Sequence, residues 1–333
     1  MEKNYTYFTI IHQDNKILEN EFDKQFQMRG NWKKSKLGNL NFLYVDETRY
    51  IKNKMYDKKT DIKNLIDLNS VENVVDKFKL INNLQKIFPE FAKQYTLPQF
   101  LIKKNKNYPE LKKEFNKHTW IMKPIDSFAG KGIKIFDNYN NFEKFNKTYN
   151  SYVLQLYIKN PLLINGKKFH LRMFLLEKII NNNINTYLLR KGGIILASKK
   201  YKYDDFDDKN IHNSHLKSSD KRLIFPDDFL RIFNLQKTLK VFKKIMVICK
   251  KISVLLKKTK CYPESKHCFY LFGLDIMITD DDQVILIECN KKPGIYFKLV
   301  PEIVNSIFKI VIDPLYPPKK KLKNNMDCFI KIS

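Results

Sequence analysis

The chain has 333 residues, more than one ordinary domain needs, so one large folded unit or two to three subdomains sharing an interface are expected. Hydrophobic residues make up 43% and aromatics 14% against 29% charged, which excludes wholesale disorder, and nine glycines exclude a collagen-like repeat. Sixty-two Lys and Arg against 35 Asp and Glu give a formal charge of +27, a field that favours nucleic acid, acidic peptide, nucleotide or anionic membrane without choosing among them.

In chain order, residues 7–11 and 41–45 are strand-like by their aromatic and β-branched content, and a helical stretch follows over about 71–91. After Leu97-Pro98 the texture changes to strands bounded by Gly and Pro, with a helical pattern at 109–117 and a strand at 119–122. Between 235 and 258, Leu239, Phe242, Met246, Cys249, Ile252 and Leu256 step by three or four, one face of a helix packed on a core. The lysines around them leave a membrane-surface or calmodulin-type helix as the second reading. The lysine run 319–323 after Pro317-Pro318 reads as a solvated tail. Soft boundaries near 92 and 160 give an N-terminal subdomain 1–92, a central one 93–160, a C-terminal one 161–318 and a basic tail 319–333, in an α/β (α+β) chain.

Only Arg29, Arg49, Arg172, Arg190, Arg222 and Arg231 are arginine, so the charge is nearly all lysine and mostly a solvated coat. Dedicated phosphate and base readers more often use the arginine fork, which matches two acceptors at once. Cys249, Cys261, Cys268, Cys289 and Cys328 form no CxxC pair, and their odd number speaks against a disulfide framework and for a reducing compartment. Residues 1–5 lack an apolar signal core, and no run reaches the roughly 20 apolar residues of a bilayer span. A soluble, cytoplasmic protein without a membrane partner is expected.

The segment 269–290 is the most informative. Two apolar runs flank Asp280-Asp281-Asp282-Gln283, the pattern of an antiparallel hairpin. A two-residue turn at Asp281-Asp282 places Asp275 opposite Glu288, with Asn290 on the same face. Opposed Cβ atoms sit about 4.5–5.5 Å apart, so two carboxylates there repel unless one is protonated or a cation bridges them. Two carboxylates and an amide oxygen are hard ligands suited to Mg²⁺. The alternative is two unrelated strand-end acids, though an apolar hairpin has little reason to carry acids at matched positions. The turn acids 280–282 read as turn formers, and Cys289 points to the core by alternation.

Residues 120–135 read as strand, loop, strand. Gly130 and Gly132 let backbone N–H groups close on an anion, and Lys123 ends the first strand with a charge that reaches phosphate. By itself this is equally a simple hairpin loop; it is not GxxxxGK[ST] leading into a helix. In residues 168–176, alternation puts Lys168, His170 and Arg172 on one face and Phe169, Leu171 and Met173 on the other. Either that basic face lines a phosphate and carboxylate pocket or it is a solvent-facing edge.

These segments, in this order, resemble the tubulin–tyrosine ligase-like family over about residues 120–318, with a weaker echo at Arg29-Gly30-Asn31-Trp32. The pieces are W-I-M-K-P with G-K-G-I, V-L-Q-L-Y-I-K-N-P-L-L-I-N-G-K-K-F-H-L-R, L-F-G-L-D and L-I-E-C-N. The resemblance implies an ATP-grasp fold with a smaller N-terminal α/β subdomain. It further implies ATP- and Mg²⁺-dependent joining of a free amino acid to a protein carboxylate, such as an acidic tubulin tail, by glutamylation, glycylation or tyrosination. Carried over by position, Lys123 and Gly130 become phosphate contacts and Gln155, Leu156, Tyr157 and Ile158 the adenine edge. Lys168 becomes a nucleotide contact with a catalytic role, Arg172 a substrate-carboxylate contact, and Asp275, Glu288 and Asn290 the magnesium ligands.

The departures lie where ribose and substrate are read. The family's K-F-D-L-R is Lys168-Phe169-His170-Leu171-Arg172, with His170 at the ribose position, and S-R-G-K-G has lost its arginine to Ala129. Ile195 stands where many members carry an arginine for the amino acid. H-L-T-N-H is echoed only by residues 212–215, where Ser214 is the candidate hydroxyl. His212 and His215 read as an exposed polar loop in preference to a metal pair. A family member that binds nucleotide without ligating is the first rival. A nucleic-acid-binding protein is the second, placed behind for want of a recognisable RNA module.

Overall fold

A computed structural model describes residues 4–11, 16–35, 40–45, 60–65, 68–127, 130–145, 147–212, 223–262, 267–291, 293–319 and 328–333. The mixed α/β class expected from the sequence is the class observed. In chain order, the N-terminal strands are β1 (Tyr5–Ile10), β2 (Trp32–Lys34), β3 (Phe42–Val45) and β4 (Ile62–Lys63). Next come β5 (Gln99–Lys103), β6 (Trp120–Pro124), β7 (Lys134–Phe136) and β8 (Ser151–Leu156). The remainder carries β9 (Leu163–Ile164), β10 (Lys167–Ile180), β11 (Asn183–Leu189), β12 (Gly192–Leu196), β13 (Leu223–Phe225), β14 (His267–Ile278), β15 (Val284–Asn290) and β16 (Phe329–Lys331).

Two long strands organise the molecule. β10 and β14 pair antiparallel from Leu171↔Ile276 to Ile180↔His267. Each shares its outer edge between two partners: β10 with β12 and then β11, β14 with β15 and then β4. Through β4 the parallel strands β3, β1 and β2 extend the same sheet. A separate antiparallel sheet runs β5-β8-β6-β7. The lysine run itself falls largely outside the described residues, but β16 returns to pair with β11, so residues 328–333 are not a solvated tail.

The large sheet is buried on both faces. Phe169, Leu171, Met173, Leu274 and Ile276 pack against the helix Leu235–Leu256 through Val241, Ile245, Ile248, Cys249 and Ile252. Leu239, expected on the packed face, is 49% exposed, because the helix turns its β-branched flank to the sheet. On the opposite face, Phe174, Leu176 and Phe269 meet the helices Lys16–Arg29 and Val300–Ile307 through Phe22, Phe26, Ile303 and Val304. Arg29 ties these two helical regions together: it is fully buried, paired with Asp313 at 2.6 and 2.8 Å, and stacked 4.1 Å from the Phe308 ring.

The single helix expected over 71–91 is three: Leu68–Val75, Lys77–Ile87 and Pro89–Tyr95. Asp76 breaks the first junction by accepting hydrogen bonds from the Phe78 and Lys79 N–H groups, an N-cap. Pro89 breaks the second, since a proline has no N–H to continue a helix. Cys261 and Cys268 form a disulfide with Cα atoms 5.7 Å apart, where the chain leaving the long helix meets the start of β14. One disulfide thus forms where the odd cysteine count spoke against a disulfide framework; Cys249 and Cys289 are free and buried. Among the described residues, no helix is long and apolar enough to cross a membrane.

Candidate active site

The β14–β15 hairpin sets the acidic pair, by a different route from the expected one. Ile278 pairs with Val284, and Asp282 adopts φ 65°, so the turn holds Asp280, Asp281 and Asp282 rather than two residues. That register alone brings Ile287 opposite Asp275. A β-bulge between Asp275 and Ile276 absorbs Ile287 as an extra residue and restores the pair Asp275↔Glu288. Asn290 follows on the same face, opposite Gly273.

One atom links the three polar groups. Asn290 Nδ2 donates to Asp275 Oδ2 at 3.2 Å and to Glu288 Oε1 at 3.1 Å, so both carboxylates are aimed at a common point. From the neighbouring β10, Arg172 donates Nε to Asp275 Oδ1 at 2.5 Å and Nη2 to Oδ2 at 3.0 Å. Burial works against the guanidinium charge, but Asp275 in contact and Glu288 behind it push the Arg172 pKa above its ordinary value. Gly273 makes room for this pair: a Cβ there would lie 2.4 Å from Pro293 Cβ and 3.0 Å from Arg172 Cδ. Among the described residues no three His, Cys, Asp or Glu side chains gather as a metal cluster. A cation at this point would therefore rest on Asp275, Glu288, the Asn290 amide and oxygens from outside the protein. That donor set suits a hard ion such as Mg²⁺, which keeps waters and ligand phosphates in its shell.

The basic row of β10 is internal. Lys168, His170 and Arg172 are 7%, 5% and 8% exposed, and both flanking strands are paired, which removes the solvent-edge alternative. His170 Nε2 lies 3.8 Å from Asp275 Oδ1, and Ile195 sits opposite His170 on β12, so an apolar side chain fills that flank. Lys123, on β6 of the small sheet, donates to Gln155 Oε1 at 2.9 Å. Burial pulls its pKa down; the charges of Glu288 and Asp275 oppose that, while Lys77 adds to it. The small sheet thus brings its lysine close enough to the acidic pair to feel both carboxylates.

Burial, reinforced by Lys123, pulls the Lys168 ammonium down to about 7. Its Nζ donates to Tyr157 OH at 3.1 Å, and that hydroxyl lies 2.7 Å from His212 Nδ1. His212 is therefore half-buried against Tyr157, not part of an exposed polar loop; Ser214 and His215 lie outside the described residues. The backbone N–H groups of Leu156 and Tyr157 donate to the Pro98 and Thr119 carbonyls. The Ile158 side chain clusters with Leu97, Met277, Ile285 and the bulged Ile287.

In the loop after β6, Gly130 and Gly132 have φ 72° and 73°, and a Cβ on Gly132 would stand 2.7 Å from Pro124 and 2.8 Å from Tyr149. Lys77 holds the start of this loop by donating to the carbonyls of Pro124, Ile125 and Ser127 at 3.3, 3.0 and 2.6 Å. Sequence reading passed over Lys77, which lies some fifty residues from the loop it holds in a helix bearing no motif. The same holds for the part played by His212.

Two sheets meeting with Lys123 on one and Lys168 and the paired carboxylates on the other are consistent with an ATP-grasp-like architecture. The Tubulin-tyrosine ligase family pattern matches residues 67–324, and the chain belongs to that family. It is 27% identical over 238 residues to the Probable tubulin polyglutamylase ttll-9 of Caenorhabditis elegans, covering 65% of this chain and 56% of that protein. It is 28% identical over 234 residues to the Probable alpha-tubulin polyglutamylase Ttll1 of Tetrahymena thermophila, covering 58% and 54%. With the Tubulin glycylase 3C of the same organism it shares 26% identity over 238 residues, 63% of this chain and 22% of the relative. The matched region is thus little more than half of the first two relatives.

Proposed function

We infer that the chain is an ATP- and Mg²⁺-dependent carboxylate–amine ligase of the cytoplasm that adds a free amino acid to an acidic protein tail, tubulin's or one like it. The observation that carries the reading is the aim of Asp275 and Glu288 at one point beside Arg172, in a chain of this family. In such a reaction the acceptor carboxylate attacks the γ-phosphorus and ADP leaves; the amine then attacks the acyl carbon and phosphate leaves. Asp275, Glu288 and Asn290 would hold Mg²⁺, which would supply positive charge against the phosphate groups.

The remaining work falls to the chain's own groups. Lys123 and Lys168 offset charge on the transferring phosphoryl group, and the loop carrying Gly130 presents backbone N–H groups to it. Arg172 spends Nε and Nη2 on Asp275; Nη1 takes no part in that grip and is the donor assigned to a substrate carboxylate. The apolar cluster around Ile158 receives the adenine ring. The +27 surface draws an acidic tail to the site, chiefly by faster encounter at low salt.

The test is transfer from a pool of amino acids to tubulin in the presence of labelled ATP, read by mass spectrometry of the acceptor. Glu288→Gln, which leaves the Arg172–Asp275 pair intact, is expected to lower transfer roughly 100-fold or more with the fold retained. Undiminished Mg²⁺-dependent transfer by that variant refutes the metal assignment. ATP binding by the wild type with no transfer to any acceptor favours the second reading, a nucleotide binder that has lost ligation, for which His170 and Ile195 are the motive.

A further inference from the structure

Behind Lys168 stands a row of groups whose contact with one another no motif of the chain predicts. Its Nζ lies 3.1 Å from Tyr157 OH and 4.4 Å from the centre of the same ring. Tyr157 OH lies 2.7 Å from His212 Nδ1, and His212 Nε2 lies 2.7 Å from the backbone carbonyl of Asp205. Tyr157 is 4% exposed and Lys168 7%, so water does not substitute freely for these partners.

The directions of these hydrogen bonds follow from one fixed end. A backbone carbonyl only accepts, so His212 Nε2 carries the proton. Burial, opposed by the Asp205 carbonyl and helped by the charge of Lys168, keeps the imidazole pKa low and the ring neutral. A neutral ring protonated at Nε2 has an acceptor at Nδ1, so the Tyr157 hydroxyl donates its single proton there. Its lone pairs then face Lys168, which donates. The Tyr201 hydroxyl, which donates to the Lys159 carbonyl, also bonds the Tyr157 hydroxyl and is a second acceptor for its proton; with either acceptor Tyr157 keeps lone pairs for the Lys168 ammonium.

We propose that Tyr157 and His212 are positioning residues that hold Lys168 in place for an anionic phosphate ligand, with His212 acting through the Tyr157 hydroxyl. The proposal rests on Lys168 being a nucleotide contact. Neither residue need touch the nucleotide with its side chain. Tyr157→Phe removes the acceptor that fixes the ammonium. His212→Leu removes one acceptor that orients the hydroxyl. His212→Asn keeps an amide oxygen near the Nδ1 position and restores it.

The experiment measures the affinity of the full chain for MgADP in Lys168→Ala, Tyr157→Phe, His212→Leu and His212→Asn. The other three are also paired with Lys168→Ala, and folding is monitored by circular dichroism and thermal midpoint. Lys168→Ala should weaken binding about tenfold to a hundredfold, Tyr157→Phe and His212→Leu about three- to tenfold, and His212→Asn by less than His212→Leu. In the Lys168→Ala background the other substitutions should add nothing, whereas a merely structural role would add its own loss. If Lys168→Ala leaves affinity unchanged, the nucleotide reading of Lys168 fails. If Lys168→Ala weakens binding while the Tyr157 and His212 variants bind as wild type, or add fully to it, the positioning role is overturned. His212→Asn binding no better than His212→Leu also overturns it.

Discussion

Glu177 shows at one side chain how burial and charge are set against each other. It lies on β10 facing the long helix, is 0% exposed, and pairs across the sheet with Thr186 and Tyr270. Burial raises its carboxyl to about 8, with the Thr259 and Thr186 hydroxyls pulling weakly the other way. A folded-state value above the unfolded one means the folded chain keeps a proton that the unfolded chain releases. The stability this contributes is fully present below about 4.5 and is lost as pH rises through about 8. Glu177→Gln should therefore unfold at nearly the wild-type denaturant concentration at pH 4.5 and at a clearly higher one at pH 8.5, by roughly 1.4 kcal/mol for each unit of difference removed. A gap between the two proteins that does not change with pH would contradict this. Lys168 has the opposite sign: held down to about 7, it is largely neutral at pH 8, and a phosphate bound beside it would recharge it. Calorimetry of MgADP binding at pH 8 in buffers of different ionisation enthalpy should show net proton uptake, which Lys168→Met abolishes.

At the scale of elements, the hairpin of β14 and β15 does two things with one sequence. Its turn brings the strands together and its bulge turns Glu288 back to Asp275. The close approach behind it depends on Gly273, since Pro293 and the Arg172 stem occupy the space a side chain would take. Gly273→Ala should cost about 1–3 kcal/mol by overpacking and displace the Arg172–Asp275 pair. Chemical denaturation measures the first, and loss of the proposed ligase activity greater than the loss of folded protein reports the second. The long helix teaches a different lesson. Its apolar residues lie at 239, 242 and 246 as well as 241, 245 and 248, so two overlapping faces satisfy one period. Only the sheet it packs on selects between them.

Over the whole molecule, the family match begins at residue 67, yet the earlier residues are not an appendage. β1 to β4 continue the large sheet from β14, and Phe22, Phe26 and Phe42 fill the core with Phe174, Phe269 and Phe308. A fragment starting at residue 67 would expose that apolar face and leave Asp313 without Arg29. Each large side chain uncovered forfeits roughly 1.5–3 kcal/mol. The fragment should be insoluble or bind a hydrophobic dye when produced alone, and co-production of residues 1–66 should recover soluble complex; a soluble, cooperatively unfolding fragment would contradict the shared core.

The sequence by itself determined the mixed class, the basic face of β10, the acidic hairpin and the family, because alternation, turn residues and motif spacing are local and survive in one dimension. The tertiary structure decided what those residues meet. A bulge, not the expected turn, made Asp275 face Glu288; burial between paired strands, not residue type, moved Lys168 toward neutrality. His212 and Lys77 acquired their partners, Tyr157 and the loop after β6, only through folding. Contacts between residues some fifty positions apart leave no periodic trace in a chain, and the desolvation that sets a side chain's charge exists only once its neighbours have closed around it.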